Sequence, residues 1–479
     1  MTDDSAPLFA AQEPIFPRRV SGTFRRLKWV ILIVTLGIYY IVPWIRWDRG
    51  PNLPDQAVLI DLAGRRFYFY WIEIWPHEFY FVAGLLIMAG LGLFLFTSAL
   101  GRVWCGYACP QTVWTDLFIL VERWIEGDRN ARVRLWRSKW DLRKWRLRIT
   151  KWVVWILIAV ATGGAWVFYF ADAPTLLSEL VTLTAHPVAY ITIGILTLTT
   201  LILGGFLREQ VCIYMCPWPR IQAAMMDEGT LTVGYRDWRG EPRGKARDPN
   251  AGDCVDCMAC VNVCPTGIDI RDGQQMACIT CALCIDACDD VMDKLGRERG
   301  LIDYLALSDR PEGQDPDWKP ASALSHVLRP RTLVYTAAWA LIGVALLFAL
   351  FIRPEIDITV APVRNPTFVT LSDGTIRNAY DIRLRNKHGE ARPFRLSLTA
   401  DSTMRIQLEG EAALSVMVPA DSTMLQRVYV QARPQDTAAN QDRTDLRFWV
   451  EDTVSGERVH HDTLFRGKES FDERSNTAG

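Results

Sequence analysis

Cysteine is missing from most of this chain. Its 479 residues hold twelve, and none lies outside the segments 105–109, 212–216, 254–264 and 278–288. No cysteine follows Cys288, so nothing formed beyond it carries a disulfide. Excess charge of either sign is missing too: 53 Lys and Arg stand against 54 Asp and Glu. That balance gives no overall basic footprint for nucleic acid and no sink for acidic substrates. Charged residues are absent altogether from five stretches, 29–45, 79–101, 152–171, 188–207 and 332–352. About 20 apolar residues cross a bilayer, so five transmembrane helices are expected, with the termini on opposite sides.

Lys and Arg are also absent from 172–187, whereas 102–151 is dense in them, including Arg129, Arg132, Arg134, Arg137, Lys139, Arg143, Lys144, Arg146 and Arg148. The leader 1–28 carries Arg18, Arg19, Arg25, Arg26 and Lys28. Loops rich in Lys and Arg stay on the cytoplasmic side. The leader, the 102–151 loop and the 208–331 segment are therefore expected in the cytoplasm. The 46–78 loop, the 172–187 loop and the tail from Arg353 are expected to face outward. Arg46, Arg49, Arg65 and Arg66 in the first outward loop weaken that assignment without outweighing the middle loop. No cleavable signal peptide is expected: the first apolar run starts late, follows a polar leader and lacks a small-residue cleavage site.

All twelve cysteines then fall on the reducing side, where clustered cysteines bind metals or do chemistry and do not form disulfide frameworks. The spacing Cys254-x2-Cys257-x2-Cys260-x3-Cys264-Pro265 is a bacterial 4Fe–4S pattern, repeated at Cys278, Cys281, Cys284 and Cys288. In two-cluster ferredoxins the fourth cysteine of each run serves the other cluster. One cluster is thus expected on Cys254, Cys257, Cys260 and Cys288, the other on Cys278, Cys281, Cys284 and Cys264. Asp289, not proline, follows Cys288. CxxC pairs also hold zinc, but eight cysteines in a doubled register argue against it.

The remaining four cysteines form two CxxxCP boxes. Cys105 and Cys109 precede Pro110, and Cys212 and Cys216 precede Pro217. Each box follows a span running from outside to inside, so spans one–two and three–four read as two parallel copies of a hairpin-plus-box unit. At i and i+4 on a helix, both thiols of a box share a face. Thiolates are soft ligands for Cu(I), zinc or iron–sulfur chemistry. The competing reading is two small residues packing a helix end. Whether the two boxes meet in one site is open at this level.

The chain divides as follows: a leader, 1–28; a four-helix membrane region, 29–207; a cytoplasmic segment, 208–331, with a ferredoxin module at 252–292; a fifth span, 332–352; and a tail from 354 to 466. A linker occupies 239–252, and a polar stretch, 309–320, leads to the fifth span. Short alternating runs such as Ala379–Leu384, Phe394–Thr399 and Leu446–Val450, set off by turn residues, mark the tail as an all-β, Ig-like sandwich. Residues 467–479 are polar and expected to be disordered.

The segment Arg102-Val-Trp-Cys-Gly-Tyr-Ala-Cys-Pro-Gln-Thr-Val-Trp114 resembles the cytochrome c oxidase accessory family known as CcoG, FixG or RdxA. Tyr214-Met-Cys-Pro217, Arg239-Gly-Glu-Pro-Arg-Gly244 and Cys264-Pro-Thr-Gly-Ile-Asp-Ile-Arg-Asp272 share the resemblance, which covers nearly the whole chain. It implies two 4Fe–4S clusters and reduction of Cu(II) to Cu(I) for a cbb3-type oxidase, with copper as substrate at the CxxxCP thiols. Its implied partners are the bilayer, copper chaperones, oxidase assembly factors and a cytoplasmic electron donor that the residues do not name. The rival functions are a quinol-linked electron-transfer subunit and a redox-sensing scaffold.

Weaker candidates carry blander readings. His77 and His186 sit at the outward ends of spans two and four and read as interfacial residues. His460 and His461 adjoin on one strand and face opposite ways. Met404, Met417 and Met424 fill strands, whereas Met215, Met225 and Met226 lie near the second box as soft donors. The tryptophans of the basic loop (Trp124, Trp136, Trp140 and Trp145) suit an anionic lipid surface and not nucleic acid.

Overall fold

The computed structural model describes residues 14–50, 53–310, 322–399, 403–411 and 413–468. Most of the polar 309–320 stretch and of the tail beyond 467 lies outside the described residues. Five helices are long and apolar enough to cross a membrane: Thr23–Trp44, Pro76–Leu100, Leu142–Val167, Pro187–Leu207 and Pro330–Phe351. The first and third begin well before their uncharged runs. Charged residues continue these helices because partners bury them. Arg25 and Lys28 in the first helix are 5% and 3% exposed. They flank Asp116, with Arg25 Nη1 donating to both carboxylate oxygens at 3.0 and 2.9 Å. Lys151 in the third helix meets Glu122 and Glu126 at 3.4 and 3.0 Å.

Helix starts are capped by side chains from near and far. Asp286, 262 residues away in sequence, accepts from the backbone N–H of Phe24 at 3.2 Å and of Arg25 at 2.7 Å. A carboxylate there satisfies orphan donors and faces the positive end of the helix dipole. Asp141 caps the third helix through Lys144 N–H at 2.7 Å.

Between the fourth and fifth spans lies a small soluble module. Strand Thr232–Tyr235 pairs antiparallel with Ile302–Leu305, closing over the cysteine loops from both sides. Helix Ala259–Val263 carries Cys260 of the first cysteine run, and helix Leu283–Leu295 carries Cys284 and Cys288 of the second. Val233, Ile270, Ile285, Met292, Leu301 and Ile302 form a core around Cys254, Cys260 and Cys288. The module is wider than its cysteines, since the strand pair at 232 and 302 supplies part of that core.

The chain forms two compact units, the second being residues 47–55 together with the chain from Leu347 on. That second unit is a β-sandwich. One sheet joins Arg405–Leu408, Ser422–Ala432, Ile376–Asn386 and Ile356–Pro362, with Val369–Thr370 beside Ile376–Asn386. The other joins Ser415–Val418, Arg392–Leu398, Thr444–Asp452 and Arg458–Phe465. Buried and exposed residues alternate along Ile376–Asn386, as a strand with one face in the core requires. Tyr380 is 1% exposed, and its hydroxyl donates to Leu464 O of the other sheet at 2.9 Å. The core holds no cysteine and is aliphatic and aromatic throughout. In the first unit, a three-stranded antiparallel sheet, Val58–Asp61, Arg66–Phe69 and Ile72–Ile74, occupies what the sequence presents only as the 46–78 loop.

Candidate electron-transfer site

The ferredoxin-like loops share a backbone device. In each run, residues two and four past the first cysteine have positive φ: Asp256 at 52° and Met258 at 57°, then Thr280 at 54° and Ala282 at 59°. None is glycine, so the same uncommon conformation recurs four times at matched offsets. The chain thereby curls around two adjacent cavities. Cys254, Cys257, Cys260 and Cys288 line one, with Tyr235, Arg271 and Met292. Cys264, Cys278, Cys281 and Cys284 line the other, with Val233, Ile268 and Ile270. Cys260 borders both cavities.

These cavities suit an iron–sulfur group. Their donors are all sulfur, their walls are mostly apolar, and N–H donors face the thiols: Thr280 N–H reaches Cys278 Sγ at 3.4 Å. Arg271 lies near Cys254 Sγ at 4.0 Å, held by Asp269 and Asp256 at 2.6 Å each. Burial pushes the thiols up, Cys260 to about 11 and Cys281 and Cys288 to about 12, with neighbouring cysteines adding to the rise. Cationic metal must therefore offset the cost of gathering thiolates here, and loading releases protons.

The two boxes repeat one another in backbone as well as in sequence. Four residues before the first cysteine of each, φ is positive: 63° at Gly101 and 39° at Arg208. A Cβ on Gly101 would meet Thr232 Cγ2 at 2.9 Å, so this copy requires glycine. Cys105 lies on the short helix Val103–Tyr107 and Cys212 on the π-helical turn Val211–Met215. The second cysteine of each box is off the helix. Cys109 and Cys216 are extended, with ψ of 130° and 124°. The expected shared helix face is thus replaced by a helix end. Pro110 and Pro217 explain it, because proline disfavours α conformation in the residue before it and readily begins the next helix.

The two boxes lie within electrostatic reach of each other. Cys105 feels Cys109 and Cys216, and Cys212 feels Cys109, Cys105 and Cys216. Burial is the largest cause holding Cys105 protonated, opposed by Arg102, and it pushes Cys212 up to about 12. The Cys105 thiol donates to Gln222 Oε1 at 3.0 Å. The first box sits directly on the second ferredoxin loop. A Cβ on Gly106 would lie 2.6 Å from Ile279 O and 3.0 Å from Cys281 Cα. Tyr107 hydroxyl donates to Cys281 O at 3.1 Å, and Arg102 donates to Cys278 O at 2.8 Å.

The family described as the 4Fe–4S dicluster domain matches residues 207–307, across the second box and both ferredoxin runs. The 4Fe–4S binding domain family matches 81–129, around the first box. The Ig-like fold at the C-terminus of FixG matches 346–468. Protein RdxB of Cereibacter sphaeroides is 68% identical over 469 residues, 97% of this chain and 98% of its own. Protein RdxA of the same organism is 65% identical over 448 residues, 94% of this chain and 95% of its own. Nitrogen fixation protein FixG of Rhizobium meliloti is 55% identical over 440 residues, 85% of this chain and 83% of its own. This chain belongs to the FixG/RdxA family.

As a FixG/RdxA-family polyferredoxin it is a membrane protein that carries iron–sulfur clusters and transfers electrons. The other sequence candidates are placed as follows. His186 caps the fourth span, its Nδ1 accepting from Val188 N–H at 3.3 Å. His77 Nε2 lies 3.8 Å from Glu78 Oε1. His460 and His461 are neighbours on strand Arg458–Phe465, opposite Trp449 and Phe448. Met404 and Met424 pack against the sandwich core, while Met417 and Met215 are exposed. Met225 is buried in helix Trp218–Met225, the helix that carries Gln222. Gln222 itself was hidden from sequence reading, because glutamine in an amphipathic helix signals nothing until its partner 117 residues away is known.

Proposed function

We propose that this protein reduces Cu(II) to Cu(I) at the four CxxxCP thiols, supplying cuprous ion for assembly of a cbb3-type cytochrome oxidase. One observation supports the reading: the first box packs on the second ferredoxin loop, and its Cys105 lies within electrostatic reach of Cys216 in the second box. Thiolate favours Cu(I), whereas Cu(II) prefers nitrogen and oxygen. A cupric ion that enters a four-thiol group is thereby biased toward the reduced state.

Within that reading the eight other cysteines hold two 4Fe–4S clusters, one on Cys254, Cys257, Cys260 and Cys288, the other on Cys264, Cys278, Cys281 and Cys284. When bound, such clusters supply one-electron storage at potentials set by charge, hydrogen bonds and exposure. The chain's own residues set those terms. Arg271 adds positive charge beside Cys254, and the apolar walls exclude water. Arg102 anchors the first box to Cys278 O and opposes the burial cost of ionising Cys105. Gln222 takes the Cys105 proton as a hydrogen bond until a soft cation displaces it. Tyr107 fixes the distance between box and loop.

The positive-inside pattern supports an inner-membrane orientation with the boxes and ferredoxin module in the cytoplasm and the Ig-like sandwich in the periplasm. That places the sandwich where oxidase assembly factors and copper chaperones would meet it. The test is anaerobic. Full-length protein, pre-reduced with dithionite and freed of excess, is given Cu(II) with a Cu(I)-specific chelator. Cu(I) should appear in proportion to the electrons stored, and a protein whose iron–sulfur absorbance stays bleached after Cu(II) addition would rule the reading out.

A further inference from the structure

A further cavity takes no part in the account above. It encloses about 1300 Å³, its mouth included. Phe16, Trp136, Trp140, Trp152, Trp155 and Phe206 form its walls. Trp155 is 1% exposed and stacks on Phe118 with ring centroids 5.2 Å apart. Trp152 and Trp155 belong to the third span and Phe206 to the end of the fourth. The cavity therefore lies between the first half of the third span and the end of the fourth. Its polar groups do not suit a phosphate. Lys151 is already paired with Glu122 and Glu126, Arg208 with Glu122, and Arg148 with Glu126 at 3.1 Å. Lys144 Nζ is spent on the carbonyls of Trp136 and Ser138 at 3.1 and 2.6 Å. A lipid phosphate would have to break those pairs.

Glu209 differs from the rest. Its carboxyl is held above its ordinary value by burial. With Arg208 it also lines the small cleft that runs to Cys212, Thr266 and Ile279. Thr266 and Ile279 in turn line the cavity of the second ferredoxin loop. The aromatic cavity, the cleft at Cys212 and the ferredoxin cavity thus share lining residues in turn.

We propose that this cavity binds the head ring of an isoprenoid hydroquinone between its tryptophans, with Glu209 as proton acceptor, and that this membrane carrier is the electron donor to the thiol site. The donor role rests on the copper reading, whereas binding does not. One hydroquinone becomes quinone by losing two electrons and two protons. Two cupric ions take one electron each and become cuprous, and the protons leave one after the other through Glu209 to water.

The test uses full-length protein in phosphatidylcholine nanodiscs and a short-tailed ubiquinone as probe. Tryptophan fluorescence should be quenched saturably, and an azido derivative should label peptides within 136–155 or 205–209. Replacing Trp136→Ala and Trp140→Ala together should weaken quinone binding at least about tenfold, since each aromatic contact is worth a substantial fraction of that factor. Iron content and the near-ultraviolet dichroism of that variant report whether it folds. Should it fail to fold, the position of the azido label in the native protein decides the matter alone. Non-saturable quenching, labelling elsewhere, or an anionic phospholipid that quinone cannot displace would overturn the proposal. Native protein separates the two readings: hydroquinone should yield two cuprous ions per ring. Cuprous ion from dithionite but not from hydroquinone would sink the donor role and leave the copper reading standing. Failure with both reductants alongside site-specific labelling would sink the copper reading and the donor role that rests on it, but not quinone binding.

Discussion

The Cys105 thiol donates to Gln222 Oε1 at 3.0 Å, and Gln222 Nε2 donates onward to Thr97 Oγ1 at 3.3 Å. Gln222 is 1% exposed and stands on the helix that follows the second box, so it ties the two copies of the repeat together at the thiol itself. Gln222→Leu keeps most of the volume and removes both bonds. A buried hydrogen bond is worth about 1 kcal/mol, so cuprous-ion affinity at the site should change by about fivefold. Chelator competition under anaerobic conditions reads that change. Iron content should not move, because Gln222 touches no ferredoxin cysteine.

Gly106 packs against the backbone of the second ferredoxin loop. Any side chain there collides with backbone, at 2.6 Å from Ile279 O, and backbone cannot swing aside as a flexible side chain can. Gly106→Ala should cost about 1–3 kcal/mol by overpacking, read by thermal unfolding. It should also slow electron delivery to copper in single-turnover mixing, because box and loop are pushed apart. Gly164→Ala is the matched control, since a Cβ there meets nothing within 4 Å.

The two ferredoxin cavities assign Cys288 to the company of the first run and Cys264 to that of the second. Cys288→Ser should therefore disturb the group that includes Cys254, and Cys264→Ser the group that includes Cys278. Each variant should retain about half the iron, since each cysteine run contributes its fourth ligand to the other cluster. Electron paramagnetic resonance after partial reduction should lose one signal in one variant and the other signal in its counterpart. Loss of the same signal in both would refute the crossed arrangement.

What was legible in the sequence was whatever depends on local pattern. Apolar runs announce spans because lipid satisfies no backbone group, and alternation announces the sandwich strands because one face must be dry. Cysteine spacing is local as well. What escaped depends on partners far along the chain. The first span begins at Thr23 because Asp286 caps it and Asp116 neutralises Arg25, and neither partner is near it in sequence. The packing of the first box on the second ferredoxin loop is a tertiary fact of the same kind. Strand Thr232–Tyr235 is too short for periodicity to reveal without Ile302–Leu305 opposite it. The departure of Cys109 and Cys216 from the helix was within reach, because the prolines that cause it are plain in the sequence.

Glu122 is the hub of the buried charges behind the boxes. It is 3% exposed and faces Lys151 at 3.4 Å, Arg132 and Arg208. Burial alone would raise its carboxyl, but Arg208, Arg132 and Lys151 more than offset that and hold it at about 2, down from 4.5. A carboxyl held low in the folded state stabilises the fold above its unfolded value. That stability is complete above pH 4.5 and drains away as pH falls toward about 2. Glu122→Gln leaves three cations without their shared partner and should cost about 3–5 kcal/mol at neutral pH. The gap between native and variant should then narrow on acidification, because protonation makes the native residue resemble the variant. Denaturant unfolding in detergent at pH 7 and at pH 3.5 measures both terms. A gap that stayed constant with pH would mean that Glu122 stabilises the fold by packing and not by charge.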